Sequence, residues 1–399
     1  MGYSISMSKP IPESVASRRS SIALLMRNLV NEEALPRAEL SNRTQLSRTA
    51  VNQALTTLVE YGLVEEAGYG ESTGGRRPQM VKLASGAAYT LGAAMSDWTW
   101  TMILTDLAGR KMAEEHQAMN GGTPEAAVDA LESAFHRIKP KMHGKRVPPV
   151  LGLGAPGLID MNRGFIHSSV NLGWQDVPLA ELVSKRLGME VTMTNRSKTS
   201  AIAEAWLASE GRVSDLVYIH LGLGVPAGII INGELMRGNH SFAGELGHTT
   251  IVPDGPPCPC GNRGCLQELI SEDAVRTRAM TMADREARQP KELTAEHVLR
   301  AADEGHPVFR RVVRETAGYL AVAVGNLINL LDPDRIVLGG PMVEWSKLLL
   351  DETREQVAYR AMRLPLSLTR IEPAALGVEA GALGAALMIR SQAVEMILP

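Results

Sequence analysis

GELGHTTIVPDGPPCPCGNRGCLQ, Gly244–Gln267, holds every cysteine of a 399-residue chain, and holds them within the eight positions from Cys258 to Cys265. A disulfide scaffold spreads its cysteines along the chain, and this sequence does not. With His248 ahead of them the pattern is His248-x9-Cys258-x-Cys260-x4-Cys265. Gly255, Gly261 and Gly264 let the backbone fold around an ion. Three thiolates and an imidazole suit a closed tetrahedral zinc site with no open position, structural and singly occupied. Three free cytosolic thiols are the competing reading.

Outward from that segment, the chain exceeds one ordinary core, so two or three domains are expected. Aromatics make up only 4% of it, which leaves packing to Leu, Val, Ala and Met. The longest apolar run, Ala317–Leu331, is interrupted by Asn326 and Asn329 and reads as a buried helix rather than a membrane span. No apolar stretch opens the N-terminus, and a cytoplasmic protein without membrane attachment is expected. Charge is unevenly divided. Residues 1–90 carry ten Lys/Arg against eight Asp/Glu, whereas the whole chain has net charge −3, so a mildly basic head sits on an acidic body.

The head has its own pattern. Ile22, Leu25, Met26 and Leu29 recur at helical spacing. A short helix over Arg37–Asn42 and a turn at Thr44–Leu46 follow, and Ser47 is the N-cap candidate of a longer helix with Val51, Leu55, Leu58 and Val59 on one apolar face. Ser47, Arg48, Thr49, Asn52, Gln53 and Thr56 present groups that can hydrogen-bond base edges or phosphates in a major groove. Two strands then flank ESTGGRRP, whose Arg76 and Arg77 suit the DNA backbone or minor groove. This reads as a winged helix-turn-helix that binds duplex DNA. A helical interaction module with a merely solvated polar face is the alternative.

GELGH followed by CPCGNRGCLQ, together with APGLID (Ala155–Asp160), NLGW (Asn171–Trp174) and LLDPDRIVLGG (Leu330–Gly340), resembles the ROK family of sugar kinases and sugar-responsive repressors. The STGGRRP wing is similar to the repressor branch. The resemblance implies an α/β protein, an N-terminal winged helix-turn-helix followed by a two-lobed actin-like (ribonuclease H-like) body. Residues 1–88 would form the DNA-binding domain and 89–203 the first lobe, completed by 377–399. The second lobe, 204–376, would carry the zinc site and the dimer interface. It also implies sugar contacts from Glu245 and His248, with Asn171, Asn195 and Arg196 around the same ligand. Where the family continues Cys-Leu-Glu, this chain has Gln267, an amide in place of a carboxylate.

Three places depart from the family's kinases. At the first phosphate loop, normally Asp-x-Gly-Gly-Thr, stand Ala94, Ser96, Asp97 and Trp98. The second loop reads GLGVPAG, where Pro226 removes an amide donor and Ala227 adds bulk. The catalytic Asn-Asp pair is Asn195-Arg196, and a guanidinium cannot accept a proton. The expectation is therefore no enzyme but a transcriptional regulator, a repressor answering to a sugar or an anionic sugar derivative. A regulator controlled by a protein partner and an active sugar kinase stay as alternatives. Arg196 either grips an anionic ligand or pairs with a nearby carboxylate and plugs an abandoned pocket. A homodimer or tetramer is expected, because helix-turn-helix proteins read paired half-sites.

Overall fold

The computed structural model describes residues 13–30, 34–70, 77–84, 86–96, 98–207, 213–283 and 293–398. The head contains α1 (Glu13–Val30), β1 (Leu35–Pro36), α2 (Arg37–Thr44), α3 (Arg48–Glu60), β2 (Val64–Tyr69) and β3 (Gln79–Leu83). Ser47 caps α3 by accepting the Ala50 N–H at 3.2 Å. Apolar spacing then turns α3 inward: Val51, Ala54, Leu55 and Leu58 are buried against Ile22, Leu25, Met26 and Leu29 of α1. Val59, expected on that face, is 45% exposed. At 100° per residue it falls about 90° from the centre of the stripe, and Ala54 takes its place. The wing strands pair antiparallel, with Glu65 opposite Lys82 and their side chains 3.1 Å apart.

Behind the head lie two five-stranded sheets. The first comprises β4 (Tyr89–Ser96), β5 (Thr99–Asp106), β6 (Lys111–Ala118), β7 (Val150–Ala155) and, after the small sheet β8 (Leu158–Asp160), β9 (Phe165–Ser169) and β10 (Trp174–Val177), β11 (Glu190–Asn195). Helices α4 (Pro124–Ile138) and α5 (Leu179–Leu187) cover one face of it, and α6 (Arg196–Leu207) leads away. The second sheet comprises β12 (Leu216–His220), β13 (Ala227–Ile231), β14 (Glu234–Leu235), β15 (Arg335–Gly339) and β16 (Arg370–Pro373). Its helices are α7 (Leu266–Ile270), α8 (Glu272–Ala283), α9 (Ala295–Asp303), α10 (Pro307–Leu331), α11 (Pro341–Trp345), α12 (Lys347–Val357) and α13 (Arg363–Leu368). The apolar run Ala317–Leu331, read as a buried helix rather than a membrane span, is the C-terminal part of α10, with Leu320, Ala321, Val324 and Ile328 buried and Leu330 exposed. No helix among the described residues is long and apolar enough to cross a membrane.

Both sheets have the same plan. In each, a three-strand antiparallel meander begins at the central strand, and two further strands add in parallel on its other side. Two copies of one α/β unit facing each other form the actin-like body expected from the sequence. Between them lie α6, against the second sheet, and α14 (Ala380–Met388), against the first. Their approach is so close that glycine is required. A Cβ on Gly384 of α14 would sit 1.7 Å from the Thr199 carbonyl oxygen of α6, and on the other side of α6 one on Gly228 of β13 would sit 2.4 Å from the Ser197 carbonyl oxygen. The divide expected near Glu204 falls inside α6, whose Glu204 carboxylate accepts the N–H groups of Ala375 and Leu376.

The chain ends in α15 (Arg390–Ile397), which returns to the head: Val394 and Leu398 are buried in the same apolar cluster as α1 and α3. Head and body therefore share a core as well as the connection through residues 84–92.

Candidate functional site

The cleft between the two sheets encloses a cavity of about 530 Å³. All six residues anticipated for a small ligand line it: Asn171, Asn195, Arg196, Glu245, His248 and Gln267. Glu245 and His248 share one short turn, Leu246–His248 with Glu245 just ahead of it, and the others come from separate elements of the chain. Asn171 sits on the turn Val170–Leu172 between β9 and β10, at the rim. Asn195 ends β11, where its side-chain amide donates to the Gly157 carbonyl at 2.9 Å and its Oδ1 accepts the Ser197 N–H at 2.9 Å. Two of its hydrogen-bonding positions are thus spent on holding the loop after β7 and the start of α6.

Glu245 is largely buried, and its nearest electrostatic partner is Lys198 on α6. Burial raises the Glu245 carboxyl above its ordinary range, while Lys198 pulls it back down. Lys198 is itself lowered by burial, with its ammonium on the Ser241 carbonyl at 2.5 Å. No hydrogen bond to the Glu245 carboxylate forms among the described residues, which leaves its oxygens as acceptors toward the cavity.

Next to it lies the thiol cluster. The ligand atoms of His248, Cys258, Cys260 and Cys265 all fall within 4.8 Å of one another. His248 Nδ1 is 3.6 Å from the Cys258 sulfur, and the sulfurs of Cys260 and Cys265 are 3.7 Å apart. A tetrahedral ion with metal–sulfur bonds of about 2.3 Å and a metal–nitrogen bond of about 2.0 Å needs edges of roughly 3.5–3.8 Å. The four residues can therefore hold a metal ion. Their loop is closed by the Cys258 N–H on the Asn262 carbonyl at 2.9 Å and by Gly264 in the left-handed region at φ 64°. A side chain at Gly264 would strike the Val252 carbonyl oxygen at 1.6 Å. His248 both belongs to this cluster and lines the cavity, so the loop and the ligand wall are one piece.

At the opposite wall Arg196, the first residue of α6, reaches across the cleft. Its guanidinium donates to Ser96 Oγ at 2.9 Å, at the end of β4, and meets His220 Nε2 at 2.8 Å, at the end of β12. His220 accepts, because burial first and the Arg196 charge second hold its imidazole neutral, well below its usual range. Sequence reasoning missed His220 and Glu272, and it placed Ser96 at the altered first phosphate loop without its bond to Arg196. The histidine ends the buried strand LVYIH immediately before GLGVPAG, and a polar residue at that place in an apolar strand is the signal that points to it. The turn into β5 carries Trp98 at φ 65°, a left-handed backbone on a bulky residue. Asp97 lies outside the described residues.

On the head, Ser47, Arg48, Thr49, Asn52, Gln53 and Thr56 are all exposed along one face of α3. Arg37 at the start of α2 braces this face, donating to Asn52 Oδ1 at 3.4 Å and to Glu66 at 3.0 Å. Arg77 is exposed at the base of the wing, and Arg76 lies outside the described residues.

A xylose repressor of Caldicellulosiruptor bescii is 30% identical over 92% of this chain and 94% of its own length. A glucokinase of Halalkalibacterium halodurans is 33% identical, but over 67% of this chain and 82% of that protein. Among solved structures, a ROK family transcriptional regulator homologous to the E. coli MLC protein superposes with a TM-score of 0.77 at 23% identity. It covers 95% of this chain and 97% of its own, a likeness of fold. The ROK family model matches residues 97–392. With that match over the body and a repressor matched along nearly its whole length, the chain belongs to the ROK family, on its transcriptional-repressor side.

Proposed function

We propose that the protein is a sugar-responsive transcriptional repressor that binds duplex operator DNA through its head and no longer phosphorylates sugar. One observation carries this reading above the others: six residues from five elements of the chain converge on a single cavity, while an arginine clamped by Ser96 and His220 fills the wall where a phosphoryl-transfer base would stand. A pocket with a guanidinium in place of the kinases' proton-accepting Asp, and with His220 engaged on that guanidinium, fits sensing rather than turnover. The similarity to a xylose repressor supports a sugar as the signal.

Within this reading, Ser47, Arg48, Thr49, Asn52, Gln53 and Thr56 enter the major groove, and Arg76 and Arg77 hold the backbone from the wing. Asn171, Asn195, Arg196, Glu245, His248 and Gln267 close on the effector. His248, Cys258, Cys260 and Cys265 hold one zinc ion, which when bound supplies a fixed crosslink to a loop poor in core side chains. Residues 1–88 act as the DNA-binding domain, and 89–203 with 377–399 face 204–376 across the effector. Because α15 ends in the head's core, a change in lobe closure reaches α1 directly. A cytoplasmic homodimer presents two heads to paired half-sites.

The test is an operator-binding assay with the purified full chain, paired with a Mg-ATP phosphorylation assay on the same sugars. Release of DNA by a sugar with no phosphate transfer is expected. Turnover above background overturns the loss of kinase activity, and DNA binding indifferent to every sugar overturns the sensing role.

A further inference from the structure

We propose that Arg390 and Trp206 are positioning residues of the sugar response, the contact through which α6 reports the state of the cavity to the head. The inference rests on the sugar-responsive reading above and assigns its route.

Arg390 opens α15 and is only 4% exposed, a place arginine takes when its donors are satisfied. Its Nε donates to the Leu387 carbonyl at 3.1 Å, and a terminal nitrogen donates to the Leu107 carbonyl at 3.1 Å. The guanidinium carbon lies over the Trp206 ring, 3.9 Å from its centroid, which is a stacking distance. A guanidinium can stack by its face while donating from its edge, and an ammonium cannot. These partners come from different parts of the molecule. Leu387 belongs to α14, and Trp206 is the last residue but one of α6. Leu107, on the turn between β5 and β6, has its side chain buried in the head's own cluster, as do Val394 and Leu398 of α15.

The other end of α6 is in the cleft, where Arg196 and Ser197 line the cavity. Between its ends the helix is pinned by the close approaches of Gly384 to Thr199 and of Gly228 to Ser197. From Thr199 the axis runs about 4.5 Å back to Arg196 and about 10.5 Å on to Trp206. A tilt of α6 about this point therefore moves Trp206 roughly twice as far as Arg196. Leu207 follows against the same turn as Arg390, since a Cβ on Gly109 would sit 2.8 Å from Leu207 Cδ2. Beside the pair, a cavity of about 440 Å³ is lined by Val30 of α1, by Trp206 and Arg390, and by Glu234 and Leu235 of β14. Head and second lobe thus meet at this joint. A ligand that tilts α6 alters the stack, and α15 carries the change into the head's core.

Anisotropy titrations of the full chain on its selected duplex test this, with and without glucose, xylose, galactose or N-acetylglucosamine. The quantity read is the ratio of DNA affinities without and with the sugar, which measures coupling rather than stability. In wild type at least one sugar gives a ratio of about tenfold or more. In R390M and W206L the ratio falls to within about twofold of one, while calorimetry still detects binding of that sugar. W206F keeps a weaker ring face and R390K keeps the charge without the fork, so each retains part of the ratio. V394A removes packing from the head's core one turn along α15; it lowers the melting temperature and keeps the wild-type ratio. A wild-type ratio in R390M and W206L overturns the inference and leaves the sugar-responsive reading standing. If either of these fails to fold, R390K and W206F decide, and a full ratio in both overturns it. An equal loss of ratio in V394A overturns it too, because coupling then follows head stability alone. A wild-type protein whose DNA affinity no sugar changes brings down both readings.

Discussion

Replacing Cys260 by Ser removes one sulfur of the four-atom cluster while changing almost no volume. Between Thr249 and Arg263 the only buried side chain is Cys258, and only Ile251 and Val252 rest half-buried on the core, so the loop has little apolar packing to fall back on. Structural zinc contributes on the order of 10–16 kcal/mol in small zinc-dependent folds. Shared among four ligands, one thiolate accounts for about 3 kcal/mol, or roughly a hundredfold in metal affinity. Equilibrium dialysis against a competing chelator, followed by elemental analysis, should show about one zinc per wild-type chain and a strong loss in the variant. Because His248 belongs both to the cluster and to the cavity wall, effector titration of Cys260→Ser should weaken in parallel with its melting temperature. Asn262→Ser, exposed in the same loop but bearing no ligand atom, is the control and should change neither. Equal metal content and equal effector response in Cys260→Ser and wild type would refute the reasoning.

Gly384→Ala should destabilise by about 1–3 kcal/mol or more, read as a drop in melting temperature, because its Cβ meets the Thr199 carbonyl and must push α14 from α6; an unchanged melting point speaks against the close-packed pair. The buried His220 has its pKa depressed from 6.5, so the stability tied to its neutral form is present above about pH 6.5 and is lost as pH falls through its folded value. His220→Gln should therefore flatten the fall in stability on acidification below pH 6.5, and an identical pH profile counts against it. Arg77→Ala should weaken binding evenly across DNA sequences and reduce the salt slope by about one unit, whereas Gln53→Ala should change which sequences are preferred; the reverse pattern in filter binding would dismiss the assignment of α3 and the wing.

Local chemistry made much of this legible. The zinc-type spacing, the Ser47 cap and most of the apolar stripe of α3 are short-range patterns, and the structure brings the four metal-type side chains together, caps α3 at Ser47 and buries Val51, Leu55 and Leu58. The six cavity residues were nameable because motif resemblance assigns them, yet their convergence depends on two sheets meeting, which no window of sequence displays. Val59 shows the limit inside one helix: its spacing from Leu55 fits the stripe, but its angle places it at the edge. The partners of Arg196 were out of reach, since Ser96 and His220 lie 100 and 24 residues away and their bonds exist only after the lobes pack. The same holds for α15, whose Val394 and Leu398 carry no mark in sequence that they complete the head's core.

The most direct test is a fluorescence-anisotropy titration of the full chain on a duplex selected from a random pool, with and without each of a set of sugars. The account predicts tight binding to a sequence with two-fold symmetric half-sites, weakened by Arg77→Ala and weakened at least about tenfold by one of the sugars. Tight binding that no sugar alters, or no sequence-selective DNA binding at all, would contradict it.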